Sequence, residues 1–248
     1  MGFHHQPNLV NDGLVLALDA SDKNSFSGSL QGDVLNRWLD LSKNNIHMTV
    51  TSAPFFDTGS GFAGVDFDGS DDKMSVADND LLSFGNGSSD FPFSVSVWAN
   101  MDDVTDAKFG QKGHWNNNPE WGLRIDSADK FQLVLYDSPQ TVLVRKSIQH
   151  FTMDIYQNKW TNFVGTYDGS GDPNNIHLYI NGVQQSGSVL PNASYTAMHN
   201  LGSTFDLMIH DDDEFANGTL GTYHIHGKEL SSSEVLHNYN VLKSRFGL

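Results

Sequence analysis

The sequence predicts an all-β fold: two antiparallel sheets packed as a sandwich, with one C-terminal helix. Three observations lead there. Short runs of alternating apolar and polar residues recur at roughly ten-residue spacing along most of the chain. Turn-forming clusters, among them DGSDD, GNGSSD, NNNP and DGSGDPNN, separate these runs. One segment only, 231–246, combines helical periodicity with signals at both ends. Many short strands with a single helix is the pattern of a β-sandwich.

The elements follow in order. Residues 1–13 read as an N-terminal arm, and residues 14–248 as one domain. Leu14 to Leu18 is a short apolar run suited to a strand buried on both faces. The polar stretch after it holds one anchor, Trp38-Leu39-Asp40-Leu41. Val65 and Phe67 alternate with Asp66 and Asp68, and Met74 and Val76 repeat the pattern. Phe91, Phe93, Val95 and Val97 alternate with smaller or polar residues and lead to Trp98. Phe67 and Phe93 are expected to point inward, and Trp98 and Trp160 to fill the sandwich core. Phe131, Leu133 and Leu135 form another alternation, and Ile176, Leu178 and Ile180 run into the hairpin signal Asn181-Gly182. Thr161 to Tyr167, Phe205 to Ile209 and Thr219 to His226 read as further strands.

The terminal helix can be read in most detail. Ser231 and Glu234 have capping-box spacing, in which each side chain satisfies an orphan N–H of the other residue. Val235, Tyr239, Leu242 and Phe246 make one apolar stripe. Lys243 and Arg245 suit the negative end of the helix dipole, and Gly247 can close the helix. The stripe is expected to cover an open end or edge of a sheet.

Composition narrows the function classes. The 248 residues contain no cysteine, which excludes disulfides and thiolate metal sites. The net charge is −16, a field that repels nucleic acids and anionic lipids. Nearly all the acidic residues are Asp, a turn former and a hard oxygen ligand. No apolar run approaches the roughly 18–20 residues needed to span a membrane. The start, MGFHHQPNLVNDG, lacks the basic and apolar regions of a signal peptide.

Seven pieces of the chain resemble, in order, the laminin-G-like or concanavalin A-like jelly-roll superfamily. They are LVLALDASD, WLDLSKNN, VDFDGSDDKMSV, FSVSVWANM, WTNFVGTYDGSG, IHLYINGV and GTLGTYHIHGKELSSSEV. The resemblance implies two curved sheets with a concave face and a loop-rich rim. The ending HNYNVLKSRFGL resembles the closing segment of such domains in tailed-bacteriophage structural proteins. The acidic triplet Asp211-Asp212-Asp213 before a Gly-bounded strand is similar to the calcium-ligating segment of pentraxins. In that comparison Asp71 and Asp72 stand nearest to a second acidic contribution.

The candidate sites are then three. Asp71, Asp72, Asp211, Asp212 and Asp213 are the candidate calcium ligands. Three adjacent carboxylates repel one another, so either a cation or full solvation must relieve them. Trp115, Asn116 and Trp121 are the carbohydrate-binding candidates, with Tyr136 and Tyr195 as further aromatic platforms. Trp121 also fits a core position at a strand start. Catalysis is the third, and the sequence speaks against it. Retaining hydrolases need two carboxylates about 5–5.5 Å apart, and that branch of the superfamily takes them from a Glu-rich strand. Here the four glutamates are Glu120, Glu214, Glu229 and Glu234, and none lies in such a strand. Asp66 and Asp68 share one face but adjoin a glycine turn. His224 and His226 share a strand face, too few for a transition-metal site.

The expectation is therefore a non-enzymatic virion component of a bacteriophage, on capsid, neck or tail. Its partners would be other virion proteins, host-surface glycans or further copies of itself, with calcium as the one candidate cofactor. A free calcium-assisted lectin is the alternative, and a glycan hydrolase of the same fold is the third reading.

Overall fold

The computed structural model describes residues 8–26, 37–52, 54–57, 62–114, 117–137, 142–147, 153–210 and 214–248. It is a two-sheet antiparallel jelly-roll sandwich with one C-terminal helix. The first sheet runs, edge to edge, Val183–Gln185, Ile176–Ile180, Thr161–Tyr167, Phe93–Met101, Asn217–His226, Gly64–Asp68 and Phe55–Asp57. Leu14–Asp19 shares the flank of Asn217–His226 with Gly64–Asp68: it pairs with residues 222–226, and Gly64–Asp68 with 217–220. The second sheet runs Ser188–Leu190, Val142–Ser147, Phe131–Asp137, Asn117–Ile125, Lys108–His114, Phe205–Leu207, Lys73–Val76, Met48–Thr51 and Arg37–Trp38.

Alternation within strands builds the core between the sheets. Phe93, Val95, Val97, Ala99 and Met101 face it from the first sheet, and Leu133, Leu135, Leu123 and Trp121 from the second. Phe67 points inward as the alternation predicts. Trp38 is buried, and its neighbour Asp40 accepts the backbone N–H groups of Ala17 and Ile46, each at 2.9 Å. Asp40 thereby ties the polar stretch to the first strand.

Several expectations are corrected. Trp98 and Trp160 do not fill the space between the sheets. They form a separate cluster with Leu242 and Phe246 on the outer face of the first sheet. Trp98 follows Val97 in its strand, and period-two alternation turns it outward. The helix accordingly covers a sheet face, not an end or edge. Phe91 precedes the strand proper, which starts at Phe93, and is exposed. The run Phe205 to Ile209 is not one strand. Met208 takes a left-handed φ of 63°, and Ile209–His210 leaves the sheet to pair with Glu214–Phe215.

The helix Ser232–Leu242 has the predicted capping box, followed by a 3-10 turn over Lys243–Phe246 and Gly247 at φ 75°. Val235, Leu242 and Phe246 are buried, and Tyr239 is half-buried. Phe246 stacks on Trp98 at 4.3 Å between ring centroids, and Tyr239 stacks on the same indole at 5.6 Å. Phe246 lies over Gly221, where an added Cβ would meet the ring at 2.5 Å. Only a glycine allows that approach. No helix among the described residues is long and apolar enough to cross a membrane.

Candidate functional site

The outer face of the second sheet is polar. One register row crosses it: Thr49, Ser75, Asp206, Gln111, Gly122, Val134 and Arg145 are successive cross-strand neighbours. Their strand neighbours Met74, Phe205, Leu207, Leu123, Leu133 and Leu135 face the core, so this row faces away from it. Asp206 is the centre of the row. Its carboxylate accepts from His114 Nε2 at 3.1 Å, from the Thr204 hydroxyl at 2.5 Å and from the Ser75 hydroxyl. Burial pushes its carboxyl up, but the hydrogen bonds from His114, Ser75 and Thr204 outweigh it and hold the group below the usual carboxylate range. Gln111 Nε2 donates to His114 Nδ1 at 3.3 Å, which leaves the imidazole proton on Nε2, pointing at Asp206.

His114 ends its strand at the hairpin that returns through Asn117. Gly113 turns there at φ 74°, and an added Cβ would lie 2.0 Å from the Asn118 carbonyl. Asn118, at φ 55°, accepts the Ser203 hydroxyl at 2.8 Å, so the hairpin meets the 203–204 segment. Asn118 and Thr204 are exposed at this junction.

The segment leading to Thr204 is held down by three carboxylates. Asp90 accepts from Tyr167 at 2.6 Å, Tyr195 at 2.8 Å and the Met198 N–H at 2.7 Å. Asp137 accepts the Thr196 N–H at 2.7 Å and pairs with His199 at 3.2 Å. Glu120 accepts the Leu201 N–H at 3.0 Å and stands 3.8 Å from the buried Lys112 amine. Lys112 also contacts Asp78 and the Ser203 carbonyl. Burial pushes both Asp90 and Glu120 up.

These contacts place the candidates read from the sequence. Trp121 is fully buried in the core, stacks on Phe205 and donates its indole N–H to the Leu82 carbonyl at 2.8 Å. It is not a sugar platform. Its register partner Lys112 is buried too, and residues at this depth offer no face to a ligand. Tyr136 is buried, and the Tyr195 hydroxyl is bound to Asp90. Trp115 and Asn116 lie outside the described residues, between His114 and Asn117. Sequence reasoning missed Asp206, Gln111 and Ser75. The available signal was an Asp in the middle of the apolar triplet Phe205-Asp206-Leu207, a poor strand residue that needs a partner there.

The acidic rim is a second site. Oxygens of Asp68, Asp71 and Asp72 lie within 4.8 Å of one another, in the turn that passes from the first sheet to the second. Asp68 and Asp71 are exposed and Asp72 is buried. Asp72 accepts the Asp68 N–H at 3.2 Å, and Asp68 accepts the Ser70 N–H at 2.8 Å. Asn217 pairs with Asp68 across the sheet. Asp211, Asp212 and Asp213 lie outside the described residues, just upstream of Asn217.

The chemistry available is hydrogen bonding. Ser75 and His114 both donate to the Asp206 carboxylate, which holds the two side chains on one acceptor. Glu120 is wholly buried, and Asp66 accepts the Thr219 hydroxyl at 2.8 Å.

The profile of the concanavalin A-like lectin/glucanases superfamily matches residues 68–236. No curated protein matches the chain by sequence. Among solved structures, the receptor binding domain of botulinum neurotoxin D is similar at TM-score 0.65 and 21% identity, over 93% of this chain and 53% of that one. The binding domain of Paraclostridial mosquitocidal protein 1 gives TM-score 0.64 and 16% identity, over 93% and 52%. The botulinum neurotoxin serotype D ligand binding domain, solved in complex with N-acetylneuraminic acid, gives 0.62 and 19%, over 93% and 51%. The chain thus spans about half the length of these structures, and the likeness is one of fold.

Proposed function

Because this chain belongs to the concanavalin A-like lectin/glucanases superfamily, we propose that it is a non-enzymatic domain that binds glycans on a host surface. The supporting observation is the convergence on Asp206. A buried carboxylate fixes His114 and Thr204 at the junction of the hairpin tip and the 203–204 segment. That junction offers preset donors and acceptors, a way to recognise hydroxyl-rich ligands at small entropic cost. Trp115 and Asn116, which lie between His114 and Asn117 in the sequence, are proposed to complete the contact. That a neighbour of the same fold was solved with N-acetylneuraminic acid supports a sugar ligand for this chain.

A glycan array carrying neutral and sialylated glycans tests the reading, with H114A and T204A as companions. Binding that weakens in both variants while their melting temperatures hold would support it. Absence of glycan binding, or binding untouched by both changes, would overturn it. Release of reducing sugar would overturn the non-enzymatic part.

Calcium is proposed at the rim, held by Asp68, Asp71 and Asp72 with Asp211, Asp212 and Asp213. The pairing of Asn217 with Asp68 supports it, because it brings the strand after the acidic triplet beside the other carboxylates. Millimolar calcium should raise the melting temperature. An unchanged melting temperature would sink the idea.

The setting we propose is a bacteriophage particle, where many copies of a weak binder act together. Support comes from the Arg245-Phe246-Gly247 ending alone. Detection of the chain in purified particles would be the supporting result, and its absence there the opposing one.

A further inference from the structure

Residues 8–13 form a strap laid along the terminal strand and helix, and side chains hold its backbone. His226 Nε2 donates to the Val10 carbonyl at 2.9 Å, and His237 Nε2 to the Asn8 carbonyl at 2.7 Å. The Val10 N–H donates to Asn238 Oδ1 at 3.0 Å. Lys228 joins Asp12 of the strap to Glu234 of the helix, each at 2.8 Å. Leu9 rests on the cluster of Trp98, Trp160, Leu242 and Phe246. Val10 rests on Val164, Tyr179, Leu230 and Val235. Gly13, at φ 72°, turns the strap into the first strand.

His226 is the exposed weakness of this arrangement to acid. Its Nε2 carries the proton given to Val10. Its Nδ1 is buried and has no partner. A second proton would place a charged N–H there with no acceptor, a costly state in a site shut off from water. The neighbours do not cancel that cost. The Val10 carbonyl, Glu234 of the helix and Asp12 of the strap favour a charged ring and Lys228 opposes it, but burial outweighs the three that favour it. His224 lies two residues away in the same strand, where Asp19 of the first strand and Arg245 of the last turn act on it with opposite signs.

We propose that the strap is released by acid: protonation of His226 detaches residues 8–13 from the terminal strand and helix and uncovers the apolar clusters under Leu9 and Val10. Burial holds the His226 imidazole below the ordinary histidine range. A group lowered in the docked state binds more protons once released. Docking is therefore fully favoured above about pH 6.5, the unperturbed histidine value, and weakens as pH falls below it.

Amide hydrogen exchange, corrected for intrinsic rates, tests this at about pH 7.5 and about pH 5. Protection of residues 8–13 should fall severalfold at the lower pH, because the released state binds the His226 proton more tightly than the docked one. The Phe93–Met101 strand should keep its protection. In H226Q the amide can still donate to the Val10 carbonyl but cannot titrate, so the pH difference should vanish. Equal strap protection at both pH values in the native chain, or the same loss in H226Q, overturns the proposal. So does a parallel loss in Phe93–Met101, which would mean general loosening. If H226Q does not fold, the native chain at the two pH values still decides.

Discussion

The two sheets present opposite outer faces. On the first, Trp98 and Trp160 stand outward and are covered by Phe246, Tyr239 and Leu242. Both indole N–H groups are buried without a partner, so the two indoles are held by packing area and not by hydrogen bonds of their own. On the second, the outward row is Ser75, Asp206 and Gln111, satisfied from within the sheet and by His114 and Thr204. The same alternation builds both. What differs is the residue placed at the outward position, and that choice decides whether a sheet face is closed by apolar packing under a helix or by hydrogen bonds among its own groups. Buried apolar area demands a cover. A row of polar groups that satisfies itself does not.

The comparison can be broken most severely at Trp98. W98A removes the ring on which both Phe246 and Tyr239 stack, and a loss of about 3–5 kcal/mol in denaturant unfolding is expected. A loss under about 1 kcal/mol would mean that the helix does not depend on that face. On the other sheet, D206N should cost about 1–3 kcal/mol and abolish glycan binding, because His114 and Thr204 lose their common anchor. Its pH signature has a definite sign. Asp206 is lowered in the fold, so its stabilisation is present above the unfolded carboxylate value, about 4, and is lost as pH falls through the folded value. The gap between native and D206N stabilities should therefore close in acid. A constant gap down to about pH 2 would refute the assignment. S231A, which opens the capping box, should cost about 1 kcal/mol and loosen the first helical turn seen by amide exchange. Smallest is K243A. The Lys243 ammonium lies 5.5 Å from the ring centre of the half-buried Tyr239, and about 0.5 kcal/mol is expected.

How much was legible follows the range of the interactions. The capping box, the Asn181-Gly182 hairpin and the inward set Phe67, Phe93, Leu133 and Leu135 depend on neighbours in sequence or on period two, and they stand as read. Trp98 was misplaced because its size suggested core, although its parity with Val97 pointed the other way. Trp121 could be read both as platform and as core, and only the row Phe205, Lys112, Trp121 settles it. Asp206 is invisible as a site residue because, Thr204 apart, its partners come from two distant stretches of chain. Ser75, and Gln111 with His114, meet it only once the second sheet is assembled. The docked strap, likewise, depends on contacts between opposite ends of the sequence.

One pairing has a consequence for how the molecule is made. Asn217–His226 sits in the interior of the first sheet, with Phe93–Met101 on one flank and Gly64–Asp68 and Leu14–Asp19 on the other. A ribosome delivers this middle strand after all of its neighbours. Until then the sheet has a vacant slot lined by unpaired backbone, and Leu14–Asp19 must wait for a partner more than two hundred residues later in synthesis order. Such a nascent chain carries open strand edges for most of its elongation, the state in which β-proteins are most exposed to wrong pairing. Asn217–His226 is thus the strand that commits the whole sheet.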